Sequence, residues 1–308
     1  MTDLRPLTLQ AVLSSWRVDL PTTVLVGLLV VAYVVGFRRS QLRWGRASMF
    51  LLGAAVWLFA GCGFIGVYSD TLFWVRALQV VLLLMVVPFG LALAMPITVA
   101  GAMLGEARID RVLRSPVARM IASPWATSAA MIVTPWLIYL TAWYPALLRS
   151  AAIDTTTRLV LVLCGAGYFY TRLQLDPVPR RYPQSLSLLI TLAETLGDGV
   201  LGVILWQGPL VAASFYQALD RTWGPALRTD QTIGAGILWV LGDVIGLPFL
   251  MVLFSAFRSE ENARAVKADA ELDAQDLATA TPAGRSDNAP DPPALWWENH
   301  PELRDRLR

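Results

Sequence analysis

Four charged side chains stand inside long apolar stretches of this 308-residue chain: Arg76, Glu194, Asp198 and Asp243. A charge in hydrocarbon is costly unless it is paired, neutralised or able to reach the surface, so each is a candidate for function. With a helical rise of 1.5 Å per residue, Arg76 sits roughly 5–8 Å below one membrane surface, within snorkelling reach. Asp243 and Asp198 lie about 15 Å deep on the same scale, and Glu194 is one turn from Asp198 on the same helix face. Two readings stay open. Either Arg76 offsets one or both deep carboxylates in an electrostatic cluster, or it snorkels while the acids are neutral or capped by helix neighbours.

Sulfur offers a second chemistry. Cys62 and Cys164 each lie about six residues in from the ends of their apolar blocks, and Met85, Met95 and Met131 stand in nearby blocks. Thiolate and thioether groups suit copper(I), which makes Cys62, Cys164 and Met85 a candidate metal set. The same residue types also serve as ordinary core packing, in which case no cofactor is expected. The two cysteines form no CxxC and no disulfide framework. The sole histidine is His300, so HExxH is absent, as are Gly-x-Ser-x-Gly and P-loop patterns. An enzyme is not expected.

The elements that must position these groups are membrane helices. The chain is 56% hydrophobic and 16% charged, outside the range of ordinary soluble domains. Crossing ~30 Å of hydrocarbon takes about 20 apolar residues, and seven blocks qualify: 20–37, 48–68, 72–103, 125–148, 158–173, 185–215 and 232–257. The fifth is the shortest, and Pro88 and Pro96 predict a kink in the third.

Loop arginines set the expected orientation. Arg38, Arg39, Arg43, Arg46, Arg108, Arg111, Arg114, Arg119, Arg172, Arg180 and Arg181 fall on one side; Arg149, Arg158, Arg221 and Arg228 fall on the other. The denser side is taken as cytoplasmic. The expectation is an all-α, multi-pass seven-transmembrane-helix bundle in a bacterial plasma membrane, N-terminus outside and polar tail inside. The net charge of +2 comes from these loops and does not point to nucleic acid.

Three segments are expected: an extracytoplasmic lead at 1–19, the membrane domain at 20–257 and a cytoplasmic tail at 258–308. No cleavable signal is evident, and residues 7–17 read as an interfacial lead-in or a disordered end. The tail begins with a charged helix at 258–278, continues through an Ala/Pro/Thr-rich linker at 279–294 and regains aromatics in LWWENHPELRDRLR. Trp296, Trp297 and Glu298 make a docking patch for protein, or an anchor for membrane lipid.

Four segments resemble the CtaG family of cytochrome c oxidase assembly factors, over about residues 45–257 and the tail. They are ALQVVLLLMVVP at 77–88 followed by Pro96, LDPVPRR at 175–181, DQTIGAGILWVLGD at 230–243, and WWE at 296–298, which is similar to actinobacterial members. The third is the most specific, with Asp230, Gln231, Gly234, Gly236, Trp239 and Asp243 in register.

The resemblance implies a seven-span protein that serves haem–copper oxidase assembly and copper supply. It also exposes a departure. The family places histidines around the third-span glutamine, whereas Arg76 and Val80 stand at those positions around Gln79; Asp198 stands where a sixth-span histidine is common. With no histidine before residue 300, an imidazole copper site is excluded there, and a guanidinium at 76 would repel a cation. Gln79, Asp230 and Gln231 join Arg76, Glu194, Asp198 and Asp243 as the candidate intramembrane polar cluster.

The expected function is a non-enzymatic scaffold for a cytochrome c oxidase subunit or a separate copper carrier. The alternative is a transporter or channel using the intramembrane acids and Arg76.

Overall fold

A computed structural model describes residues 6–179 and 184–279, which hold helices and no strands. Two compact units result, Met1–Phe257 and Arg258–Arg308. In chain order, α1 (Leu9–Ser14) and α2 (Leu20–Phe37) precede α3 (Trp44–Cys62) and the short α4 (Phe64–Tyr68). α5 (Phe73–Val81) runs through a π-helical turn (Leu82–Val86) into α6 (Val87–Leu93). α7 (Pro96–Leu104), α8 (Glu106–Leu113) and α9 (Pro116–Ile121) lead to α10 (Pro124–Leu140) and α11 (Trp143–Arg149). α12 (Ala151–Leu173), α13 (Gln184–Gln207) and α14 (Ala213–Ala218) come next. α15 (Leu227–Gly236) then passes through a second π-helical turn (Ile237–Leu241) into α16 (Gly242–Thr279).

Among the described residues, four runs are long and apolar enough to cross a membrane: Leu20–Phe37, Trp44–Tyr68, Phe73–Leu93 and Leu227–Ala274. A fifth forms if α10 and α11, bent by 71°, count as one broken span. This is fewer than the seven apolar blocks of the sequence. α12 shows why: its 23 residues include Asp154, Arg158 and Arg172, which lower its hydropathy. Arg158 and Arg172, expected in loops, lie inside this helix and are buried.

The third block is broken as its prolines predict. Pro88 has no N–H to give the Leu84 carbonyl, and the π-helical turn accommodates the ring. Gly165 of α12 packs directly on that carbonyl; a Cβ there would stand 2.0 Å from Leu84 O. A second close approach pairs Gly53 of α3 with Gly90 of α6, where a Cβ on Gly90 would lie 3.2 Å from the Gly53 Cα. Small residues let these backbones meet.

The chain breaks fully at Ala94–Met95, where Met95 turns left-handed (φ 54°). Both loose ends are satisfied. Arg46 of α3 donates to Leu93 O (2.6 Å) and the Tyr33 hydroxyl of α2 donates to Ala94 O (2.8 Å). Asp176 accepts from the backbone N–H groups of Ile97 (2.6 Å) and Thr98 (2.8 Å), the exposed donors of α7. The loop after α12 thus caps a helix whose first free N–H, that of Ile97, lies 79 residues earlier in the sequence.

At the N-terminus, the expected lead-in forms α1; Leu7 and Val12 pack against the Phe64, Ile65 and Tyr68 cluster. Within the second unit, helix ion pairs join Arg264 to Glu261 (3.0 Å) and Lys267 to Glu271 (3.8 Å). Trp296, Trp297, Glu298, most of the linker, and Arg180 and Arg181 lie outside the described residues.

Candidate functional site

Helix direction brings the N-termini of α2, α5 and α12 together with the C-terminus of α3, and charged residues gather there. Arg76, on the first turn of α5, is 3% exposed. Its guanidinium donates to Asp154 on α12 (2.5 Å), to Asp70 in the turn before α5, and to the Gln79 side-chain oxygen (2.9 Å). Gln79 passes the link on by donating to Ala60 O of α3 (2.7 Å).

Asp154 also pairs with Arg158 one turn along α12 (3.2 Å). Arg158 in turn forks onto Asp19, the N-cap of α2, at 3.1 and 3.3 Å. The order Asp70, Arg76, Asp154, Arg158, Asp19 is a ladder of alternating charge with three carboxylates and two guanidiniums. Asp19 lies outside the spans. Burial alone would raise its carboxyl, but hydrogen bonding from Thr22 and the charge of Arg158 outweigh burial and hold it below its ordinary 3.8.

Aromatic rings close the inner side of the ladder. Phe73, Tyr139 and Tyr144 pack with centroids 5.2 to 5.6 Å apart, and the hydroxyls of Tyr144 and Tyr216 share a 2.8 Å hydrogen bond. The Arg76 Nε and the Tyr139 hydroxyl are buried with no hydrogen-bond partner among the described residues.

Asp230 and Gln231 act as ties. Asp230 accepts from the Trp74 N–H at the start of α5 (2.9 Å) and pairs with Arg221 (3.2 Å). Gln231 accepts from Val211 N–H (2.8 Å) and donates to Leu205 O (2.7 Å) and Pro209 O (3.0 Å), fixing the end of α13 against α15. Both are buried.

Arg76 and Gln79 therefore do meet, and among the described residues the carboxylates on Arg76 are Asp70 and Asp154, not Asp243. Asp243 lies partly buried at the start of α16, with no hydrogen bond or ion pair among the described residues. Glu194 and Asp198 fall on α13, and their side chains are outside the described residues. Asp70 and Asp154 escape a search for charges inside apolar blocks because both stand just outside them. The spacing Asp154–Arg158, four residues apart at a helix start, is a local signal that points to Asp154.

The sulfur groups have separate surroundings. Cys62 contacts the Thr23 hydroxyl (3.5 Å), Cys164 contacts that of Thr134 (3.6 Å), and Met85 lies beside Gly242. Among the described residues, no group of three or more His, Cys, Asp or Glu could hold a metal ion. The carboxylates that do converge are already matched by guanidiniums. The ladder's own donor set of guanidinium-paired carboxylates does not fit a copper site.

Relatives extend over most of the chain. An uncharacterized protein of Mycobacterium bovis is 26% identical over 88% of this chain and 45% of its own length. A Mycobacterium tuberculosis protein matches to the same extent, and one from Mycobacterium leprae is 23% identical over 84% of this chain and 42% of its own. The chain thus spans less than half the length of these relatives. No solved structure matches it. The family model for the cytochrome c oxidase caa3 assembly factor matches residues 31–260, and the chain belongs to that family.

Proposed function

We propose that the chain assists cytochrome c oxidase assembly as a non-enzymatic membrane scaffold, without a copper site of its own. The Arg76 ladder carries this reading. A guanidinium fixed by Asp70, Asp154 and Gln79 supplies the positive charge those carboxylates need and repels any added cation. It also locks the ends of α2, α3, α5 and α12 into one frame, which suits a protein that works by holding a partner.

In this reading the chain crosses a bacterial plasma membrane seven times: α2, α3 with α4, α5 with α6, α10 with α11, α12, α13, and α15 with α16. The N-terminus is outside and the tail inside, following the loop arginines. The ladder then lies at the outer end of the bundle, where an oxidase subunit or a separate copper carrier is met.

The test is purification of the full chain in mild detergent from a host that makes its oxidase. Oxidase subunits and haem are expected to co-purify, and the chain separated from them is expected to hold copper near zero by elemental analysis. Stoichiometric copper on the isolated chain would overturn the copper-free reading. A chain that elutes alone and is stabilised by a solute would replace the scaffold with a transporter. Arg76→His adds a direct check: if it is as stable and abundant as the parent and gains no copper, the guanidinium neither holds the frame together nor keeps a cation out.

A further inference from the structure

Asp243 is partly buried in the middle of an apolar run, and neither a hydrogen bond nor an ion pair reaches it among the described residues. Beside it on the helix surface stand Val240, Val244, Leu247, Met251 and Phe254, exposed by 52 to 74%. Their spacing of four, three, four and three residues is the seam of a helix made to pack along another helix. The opposite side of the same run is committed to the bundle. Trp239 lies over Gly199 and Gly202 of α13, and Phe249 and Leu253 are buried.

Lipid tails would cover the apolar seam equally well, but they offer nothing to a carboxylate. An ionisable group at this depth needs a partner, and helix–helix contacts in membranes use such polar pairs. The buried basic groups on this chain's own described helices are taken up: Arg76 and Arg158 by the ladder, Arg172 by Ser128 and the Tyr168 ring. A second copy would bring another Asp243, not its complement. The π-helical turn at Ile237–Leu241, immediately before the acid, is a further irregularity of the kind found at working sites.

We infer that the Val240–Phe254 face docks one transmembrane helix of a partner protein, with a Lys, Arg or His of that helix set opposite Asp243. This deepens the scaffold reading by naming the surface and the partner's chemistry, and it rests on α15 and α16 crossing the bilayer.

The experiment is site-specific photo-crosslinking of the full chain in native membranes. A benzoylphenylalanine replaces Leu247 or Met251, with Leu28 on the exposed side of α2 as control, and adducts are sequenced by mass spectrometry. Both positions are expected to capture one membrane helix that carries a basic residue, and Leu28 is not. Asp243→Leu should cut the yield by about threefold to fifteenfold, the span of measured interhelical polar pairs, while leaving the melting temperature of the detergent-purified chain unchanged or higher. Leu247→Trp, which alters shape without touching charge, should reduce capture at Met251 as well.

Adducts to lipid alone, to a second copy, or to a helix without a basic residue overturn the inference, as does a yield indifferent to Asp243→Leu. Capture of a basic helix from a protein outside the oxidase upholds the docking face and overturns the oxidase reading. Oxidase co-purification with lipid-only adducts does the reverse.

Discussion

Asp154 of α12 serves two cations at once, meeting Arg76 at 2.5 Å and Arg158 at 3.2 Å. Asp70, at the end of the ladder, meets only Arg76 among the described residues and has a side chain 45% exposed, against 18% for Asp154. The two carboxylates bind the same guanidinium, yet water can replace only one of them.

That difference sets the first prediction. Asp70→Asn should cost within about 1 kcal/mol, as exposed pairs do. Asp154→Asn removes the shared carboxylate and should cost about 3 kcal/mol, and Arg76→Met should fall at about 3–5 kcal/mol because it strands buried charge. Thermal unfolding in detergent, followed by loss of the monodisperse peak on size exclusion, ranks the three. Equal effects of Asp70→Asn and Asp154→Asn would show that burial does not grade the ladder.

A steric prediction comes from Gly165. Its missing Cβ would stand 2.0 Å from the Leu84 carbonyl and 2.6 Å from the Pro88 ring, both rigid. Gly165→Ala should therefore destabilise by about 1–3 kcal/mol or abolish accumulation in the membrane. Gly167→Ala, two residues on in the same helix, meets only a Thr127 methyl at 3.6 Å and should be tolerated. The paired comparison separates α12–α6 contact from any general intolerance of α12 to alanine.

The amino-acid pattern announces part of this arrangement and hides the rest for identifiable reasons. The DQTIGAGILWVLGD segment points to the family, and an arginine inside an apolar block points to Arg76. Its true partners are hidden, because Asp70 sits in a tight turn and Asp154 in the polar first turn of α12, both outside the blocks hydropathy draws. Arg158 looks like a loop residue for the same reason: α12 begins at Ala151, well before its apolar part. Pro96 marks the break in the third block. What closes that break, Arg46, Tyr33 and Asp176, comes from three distant segments. No local pattern announces such contacts.

The Asp19 carboxyl gives a pH prediction with a definite sign. Its value is depressed in the folded chain relative to 3.8, so the unfolded chain binds the proton first on acidification. The Asp19–Arg158 contribution is therefore fully present above about pH 3.8 and is lost as pH falls through the lower, folded value. The melting temperature should be insensitive to this pair between about pH 5 and pH 8, a window that lies above the ordinary range of carboxylates. Asp19→Asn should lower stability throughout that window and flatten the acid limb below it. A parent chain that loosens instead near neutral pH would place the titrating group elsewhere.

Asp176 provides the last test, because it isolates one helix end from the rest of the bundle. Two backbone N–H groups and the Thr98 hydroxyl all donate to its carboxylate, at 2.5 to 2.8 Å. Pro96 supplies no N–H of its own, so Ile97 and Thr98 are the first donors of α7 and depend on this side chain from the loop after α12. Asp176→Ala should cost about 0.5–2 kcal/mol, the worth of a helix cap, with the larger end favoured by its 3% exposure. The loss should also be local. Amide exchange at Ile97 and Thr98 should rise sharply while Trp74, held by Asp230 at the other end of the bundle, keeps its protection. Asp176→Asn retains one acceptor oxygen without the charge and should fall between the parent and the alanine variant. Uniformly faster exchange in both regions would mean that the loop after α12 supports the whole bundle and not the α7 terminus alone.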